Sequence, residues 1–336
     1  MRGWLARARR SGPVGAEPAP REAQEAARLA RAARLLLVRS RRSAGAISGV
    51  YTTAFRGGGV EFEELRPYVP GDDLRTIDWN ATARTGEPWV KRFREERDQT
   101  LLLLVDVSAS MGFGSQEAPK AAAAARAAGL LAAAATHARD RVGLVLFDEQ
   151  VREEIAPARG DAHARRLLRA LVAAGGAPAG GTGLAAALAR ARAHALGRRR
   201  SIVFLVSDLR DDALLAAGGT AAPASAAALA GELAAAARRH DLVAAVVHDP
   251  REDLLPDVGS VLVADPERPG AARLLRTGSP RVREAYRAAA AARRRAVERR
   301  LRGHGADVLF LSTHADPLRG LARFFRERAG RTRVSP

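Results

Sequence analysis

Asp106, Ser108 and Ser110 stand at alternate positions in the stretch LLLLVDVSASM, residues 101–111. Five apolar residues run straight into the aspartate. One carboxylate and two hydroxyls on a tight loop make part of a site for a hard divalent cation, which takes oxygen ligands. The same residue types also suit a helix N-cap. Two later segments add oxygen donors. Residues 179–184, AGGTGL, place Thr182 just before an Ala/Leu/Arg helix, and residues 201–210, SIVFLVSDLR, run a β-branched strand into Ser207 and Asp208. Taken singly, Thr182 reads as an N-cap and Asp208 as a turn residue.

The elements around these residues explain why they would meet. A short apolar run bounded by a turn signal reads as a buried, parallel strand. The pattern D-x-S-x-S falls where that strand ends, and ligands of open α/β sheets bind at the carboxyl ends of the strands. Strands are predicted at Thr100–Val105, Arg141–Phe147, Ser201–Val206, Leu242–Val247, Ser260–Val263 and Asp307–Leu311. Helices are predicted at Ala118–Arg139, His163–Ala173, Leu184–Leu196, Ala224–Arg239, Val282–Arg302 and Pro317–Arg328. This alternation implies right-handed crossovers and an α/β fold with a doubly wound, mainly parallel sheet over residues 99–330.

The N-terminal third is organised differently. Residues 1–20 lack periodicity and read as disordered. Residues 21–49 read as a helix, Arg21–Val38, followed by a linker, Arg39–Gly49. Residues 50–98 read as a smaller β-rich module, since Tyr51–Thr100 holds seven of the 15 aromatic residues among Gly and Pro punctuation. Trp79 and Trp89 are expected to anchor it as apolar mass.

The three donor loops, in this order, resemble the von Willebrand factor A domain and its metal-ion-dependent adhesion site. The resemblance implies one Mg²⁺ (or Mn²⁺) held by Asp106, Ser108, Ser110, Thr182 and Asp208. A second signature lies upstream. Residues 58–97 contain Glu61, Phe62, Leu65, Arg66, Tyr68, Pro70, Gly71, Asp72, Asp73, Arg75, Ile77, Asp78 and Trp79, then Ala83, Arg84 and Thr85. This block is similar to the hallmark of the bacterial family called domain of unknown function 58, whose members carry a von Willebrand factor A-like half after it. The similarity spans roughly Leu35 to Arg328. It implies a partner, a MoxR-type AAA+ ATPase, and a role in maturing other protein complexes, with a client protein that the residues do not name. Many members also have membrane helices before the block; this chain resembles the short soluble branch. From the residues themselves, the block reads first as an ion-pair and turn lattice around Pro70-Gly71-Asp72-Asp73, with an acid or metal centre as the competing view.

Composition narrows the function classes. The chain has no cysteine, which excludes disulfides, thiolate zinc sites and cysteine nucleophiles and fits a cytoplasmic location. The seven histidines show no metal-binding spacing. No apolar run is long enough for a transmembrane helix. The net charge of +18 is concentrated: residues 1–42 hold 11 Arg against Glu17, Glu22 and Glu25, and residues 281–302 hold nine against Glu284 and Glu298. Such a surface suits an acidic protein or peripheral contact with an anionic membrane. Without an aromatic-interleaved basic motif or recognition helix, nucleic acid is a poor fit. No phosphate-binding G-x-x-x-x-G-K-[ST] loop is present, which argues against an ATPase of that type, and no G-x-S-x-G elbow marks a serine hydrolase. The expectation is therefore a non-enzymatic, Mg²⁺-dependent adaptor or co-chaperone. The alternative is a phosphotransferase of haloacid-dehalogenase type, with Asp106 as nucleophile. That chemistry wants a second aspartate where Ser108 stands, and a lysine, of which only Lys91 and Lys120 exist.

Overall fold

The computed structural model describes residues 38, 40, 42–55, 60–95, 99–115, 118–175, 180–194, 200–216, 223–267, 270 and 272–334. The N-terminal segment 1–20 and the helix expected at Arg21–Val38 lie outside them, apart from Val38. The expected linker is a correction: residues 42–55 are helical (α1). Its small residues disguise a helical stripe, for Ala44, Ile47, Ser48, Tyr51 and Ala54 are all buried. That spacing is one helix face. Tyr51 packs edge-on against Phe325, with ring centroids 5.8 Å apart, and its hydroxyl donates to Asp140 Oδ2 at 3.2 Å.

Next comes an antiparallel hairpin, β1 (Val60–Pro67) and β2 (Trp89–Glu95), joined through a short helix, α2 (Trp79–Thr85). The expected β-rich module is therefore one two-stranded sheet plus a helix. Asp78 caps α2 by accepting from the backbone N–H groups of Asn80 and Ala81. The turn lattice is present in part: Arg66 pairs with Asp72 at 2.6 Å, and Asp72 accepts from Val69 N at 3.0 Å. Arg84 instead donates to Asn80 O. Trp79 does not anchor the module, because its position in the first turn of α2 leaves it 71% exposed; Trp89 is partly buried.

The main domain is a six-stranded sheet in the order β10-β7-β6-β3-β4-β5. Its strands are β3 (Thr100–Asp106), β4 (Arg141–Phe147), β5 (Val151–Ala158), β6 (Ile202–Ser207), β7 (Asp241–His248) and β10 (Asp307–Ser312). All pairings are parallel except β4–β5. β3 lies between β6 and β4, and Leu101–Leu104 are at most 1% exposed. Burial on both faces explains their continuous apolar run. On one face, α1, α3 (Lys120–His137), α4 (Asp161–Gly175) and α9 (Pro317–Val334) close a core around Leu101, Leu103 and Phe204. On the other, α5 (Leu184–Ala193), α6 (Asp212–Leu215), α7 (Ala224–Arg239) and α8 (Pro280–Gly303) close a core around Leu102, Leu104 and Val203. This is the doubly wound α/β fold expected.

Ser260–Val263 was expected as a strand of that sheet. It forms β8 (Val261–Ala264) instead, paired antiparallel with β9 (Ala272–Leu275) in a separate hairpin. Without a crossover helix between them, β8 and β9 form a ribbon of their own. Among the described residues, no helix is long and apolar enough to cross a membrane.

Candidate functional site

β3 carries Asp106 to the carboxyl edge of the sheet. Its Oδ1 accepts from Ser108 N at 2.8 Å, which folds the loop back on itself. Its Oδ2 accepts from Ser207 Oγ at 2.5 Å, so the end of β6 fixes the carboxylate. A 3₁₀ turn, Ala109–Gly112, then brings Ser110 Oγ to 3.2 Å from Ser108 Oγ. Asp106, Ser108 and Ser110 are at most 2% exposed. Ser108 precedes the 3₁₀ turn without making a side-chain cap. Its hydroxyl faces the site.

Thr182 arrives on the second loop, which is bound to the first: Ala109 N donates to Gly180 O at 2.9 Å. The other side of that loop rests on the β4–β5 turn, where Gly183 N donates to Asp148 O at 2.7 Å and Gly181 N to Glu149 Oε1 at 3.0 Å. The approach needs a glycine, since a Cβ on Gly183 would stand 2.5 Å from Glu149 O. Gly183 is the N-cap of α5, so Thr182 is not a cap either. Its Oγ1 is 3.1 Å from Ser108 Oγ and 2.9 Å from Glu267 Oε1. A hydroxyl has one hydrogen, and the carboxylate is the stronger acceptor. Thr182 thus donates to Glu267, and Ser108 joins Thr182 to Ser110.

The structure therefore joins four of the five expected residues, Asp106, Ser108, Ser110 and Thr182, in one hydrogen-bonded cluster. Asp208 stands beside them but faces elsewhere. Its Oδ1 accepts from Arg210 N at 3.1 Å, and its Oδ2 from Lys120 Nζ at 2.5 Å. Lys120 is fully buried and reaches Glu252 Oε1 at 2.6 Å, while Arg210 pairs with Glu252 at 3.0 Å. Burial, reinforced by the charge of Asp208, pushes the Asp106 carboxyl up to about 7 against the hydrogen bonds from Ser207 and Ser108.

The donor set suits Mg²⁺ or Mn²⁺. Mg–O bonds of about 2.0–2.1 Å put neighbouring oxygens of an octahedron roughly 2.9–3.0 Å apart. The hydroxyl separations of 3.2 and 3.1 Å lie close to that edge. Among the described residues, no cation pairs with the desolvated Asp106. Asp106, Ser108, Ser110 and Thr182 would hold the ion, with Asp208 adjoining. A cation held there would supply positive charge that an acidic group could complete.

Ser207, Lys120, Glu252 and Glu267 were not expected as parts of this site. Lys120 carried a signal as one of two lysines. Ser207 carried one as the residue before Asp208.

Fold and site together define an α/β protein with a carboxylate-and-hydroxyl cluster at the carboxyl edge of a doubly wound sheet. The chain belongs to the family described as protein of unknown function DUF58, whose profile matches residues 64–296. It is 34% identical over 285 residues to the uncharacterized protein Rv1480 of Mycobacterium tuberculosis, covering 84% of each chain. It is 39% identical over 90 residues to the uncharacterized protein MAV169 of Mycobacterium avium, covering 27% of this chain and 52% of that one. Among solved structures, BatB from Bacteroides thetaiotaomicron aligns at 12% identity and a TM-score of 0.42, covering 70% of this chain and 100% of the other. The vWF domain of the pili tip protein Mfa5 from Porphyromonas gingivalis aligns at 14% identity and a TM-score of 0.36, covering 70% and 95%.

Proposed function

We propose that this chain is a non-enzymatic, cytoplasmic adaptor that recognises an acidic group of a protein partner through a bound Mg²⁺ or Mn²⁺. One observation carries the reading: Asp106, Ser108, Ser110 and Thr182 form a connected oxygen cluster in which Asp106 supplies the charge, while Asp208 is matched by Lys120. A divalent ion held by neutral hydroxyls and one carboxylate keeps positive charge and room for another ligand. A partner's aspartate or glutamate can supply it. The family resemblance adds the partner class, a MoxR-type AAA+ ATPase acting on a client complex.

The phosphotransferase alternative is disfavoured by the surroundings of Lys120. Its ammonium is engaged by Asp208 and Glu252, out of contact with solvent, and is not directed at a phosphoryl group beside Asp106. The test is calorimetric titration of Mg²⁺ into the full chain. Binding of modest affinity is expected, abolished in Asp106→Ala with the fold retained; equal binding by that variant would overturn the site. Mg²⁺-dependent turnover of a simple phosphate ester, lost in Asp106→Asn, would overturn the adaptor reading.

A further inference from the structure

We infer that Glu267 is a built-in acidic ligand of this site, a carboxylate of the chain itself standing where a partner's carboxylate would bind. The inference rests on the cation-site reading above. Glu267 Oε1 lies 2.9 Å from Thr182 Oγ1, across 85 positions of sequence. That distance matches the edge between neighbouring ligands of an octahedral Mg²⁺ shell, about 2.9 Å for bonds of roughly 2.05 Å. The Glu267 carboxylate is thus close enough to Thr182 to share an ion with it.

The segment that delivers it is built for delivery and not for packing. Glu267 follows β8, and its N–H donates to Asp265 Oδ1 at 3.0 Å, which closes a tight turn just past the strand. The ribbon is anchored at its base: Gly278 N donates to Gly259 O at 2.9 Å, and Arg283 Nη1 donates to the carbonyl of the buried Thr277 at 2.6 Å. Between base and tip it buries little, since the cross-strand pair Leu262 and Leu274 is 67% and 66% exposed. Core burial therefore does not dictate where Glu267 sits. Its contact with Thr182 places a carboxylate at the edge of the oxygen cluster, where a divalent cation would stabilise it. The site is then self-capped, and a partner acid must displace Glu267 to bind.

The experiment is titration of Mn²⁺ into the full chain, followed by calorimetry and by water-proton relaxation, for the wild type, Glu267→Gln, Glu267→Asp and Asp106→Ala. Glutamine keeps the size of the side chain and its hydrogen bond but loses its charge; aspartate keeps the charge but falls short by one methylene. Both are expected to weaken Mn²⁺ binding about tenfold, and to raise the relaxation enhancement per bound ion as water replaces the carboxylate. Wild-type affinity and relaxation in Glu267→Gln, with binding still abolished by Asp106→Ala, would overturn the role of Glu267 and leave the cation site standing. No Mn²⁺ binding by the wild type would overturn both.

Discussion

Lys120 sets the charge balance of the site. Its ammonium has no contact with solvent, and Asp208 and Glu252 hold it at 2.5 and 2.6 Å. Removing one member of a buried ion pair strands the other and costs about 3–5 kcal/mol. Lys120→Met is therefore expected to lose that much stability in urea denaturation, and added Mg²⁺ is expected to restore more of it than the same ion adds to the wild type, because Asp208 is released as a ligand. Unchanged stability would show that the lysine is not the counter-ion. Asp249 is the opposite case. Burial opposes its charge, but hydrogen bonds from Ser115 N and Oγ, Arg251 N and Thr313 Oγ1 hold its carboxyl down at about 2, below the ordinary 3.8. The depressed value means that the folded state favours the ionised form. Its stabilisation is complete above pH 4 and lost as pH falls through 2. Asp249→Ala is expected to cost about 2 kcal/mol at pH 7, with the difference from wild type shrinking toward pH 2. A constant difference across that range would exclude ionisation as the cause.

Two loops and a turn form the site at the scale of elements, and their fit depends on backbone clearance. Gly183→Ala would press a methyl group to 2.5 Å from Glu149 O and 2.9 Å from Asp148 O, both backbone atoms. Overpacking of this kind costs about 1–3 kcal/mol. The loop should lift from the β4–β5 turn, moving Thr182 away from Ser108 and weakening Mg²⁺ binding; calorimetry of this variant beside Gly181→Ala checks it, the latter facing only the Glu149 side chain. The loops were legible in the sequence because each follows or precedes an apolar segment of clear period. Asp106 ends an uninterrupted buried run, and α7 and β4 begin and end where the pattern does. Other elements were obscured for physical reasons. β5 is an edge strand whose Arg152, Glu153 and Glu154 meet or approach solvent, so it lacks the apolar run of its neighbours. In α1, Gly45 and Gly49 read as linker, yet tertiary packing of Ile47 and Tyr51 overrides their weak helix propensity. Nothing in the sequence placed Glu267 near Thr182, because their contact depends on the course of the β8–β9 ribbon. Nor could spacing show that Asp208 faces Lys120, which lies 88 residues away.

Charge dominates at the scale of the whole molecule. The chain carries +18, and α8 holds nine arginines within residues 281–302. The structure divides them by task. Arg293 donates to Leu209 O at 2.9 Å, and Arg294 pairs with Asp253 and lies over the Phe310 ring at 5.2 Å. Both are fixed to the body of the fold, so reversing them would damage the domain itself. Arg287, Arg295 and Arg299 are exposed. They give α8 a solvated basic face on the helix that also lines a cavity of about 230 Å³ with Asp208, Arg210 and Tyr286. Exposed charges act over about 8–10 Å at physiological salt, and they govern the rate of docking more than its final strength. If the proposed ATPase partner docks here through an acidic surface, changing Arg287, Arg295 and Arg299 together to glutamate should slow association at least tenfold at low ionic strength. The dissociation rate and melting temperature should change little. Surface plasmon resonance against a MoxR-type ATPase, repeated at rising salt, measures both rates. The wild-type and variant association rates should converge as salt increases. Equal association at low salt would remove α8 from the interface, and a large drop in melting temperature would show that these arginines serve the fold.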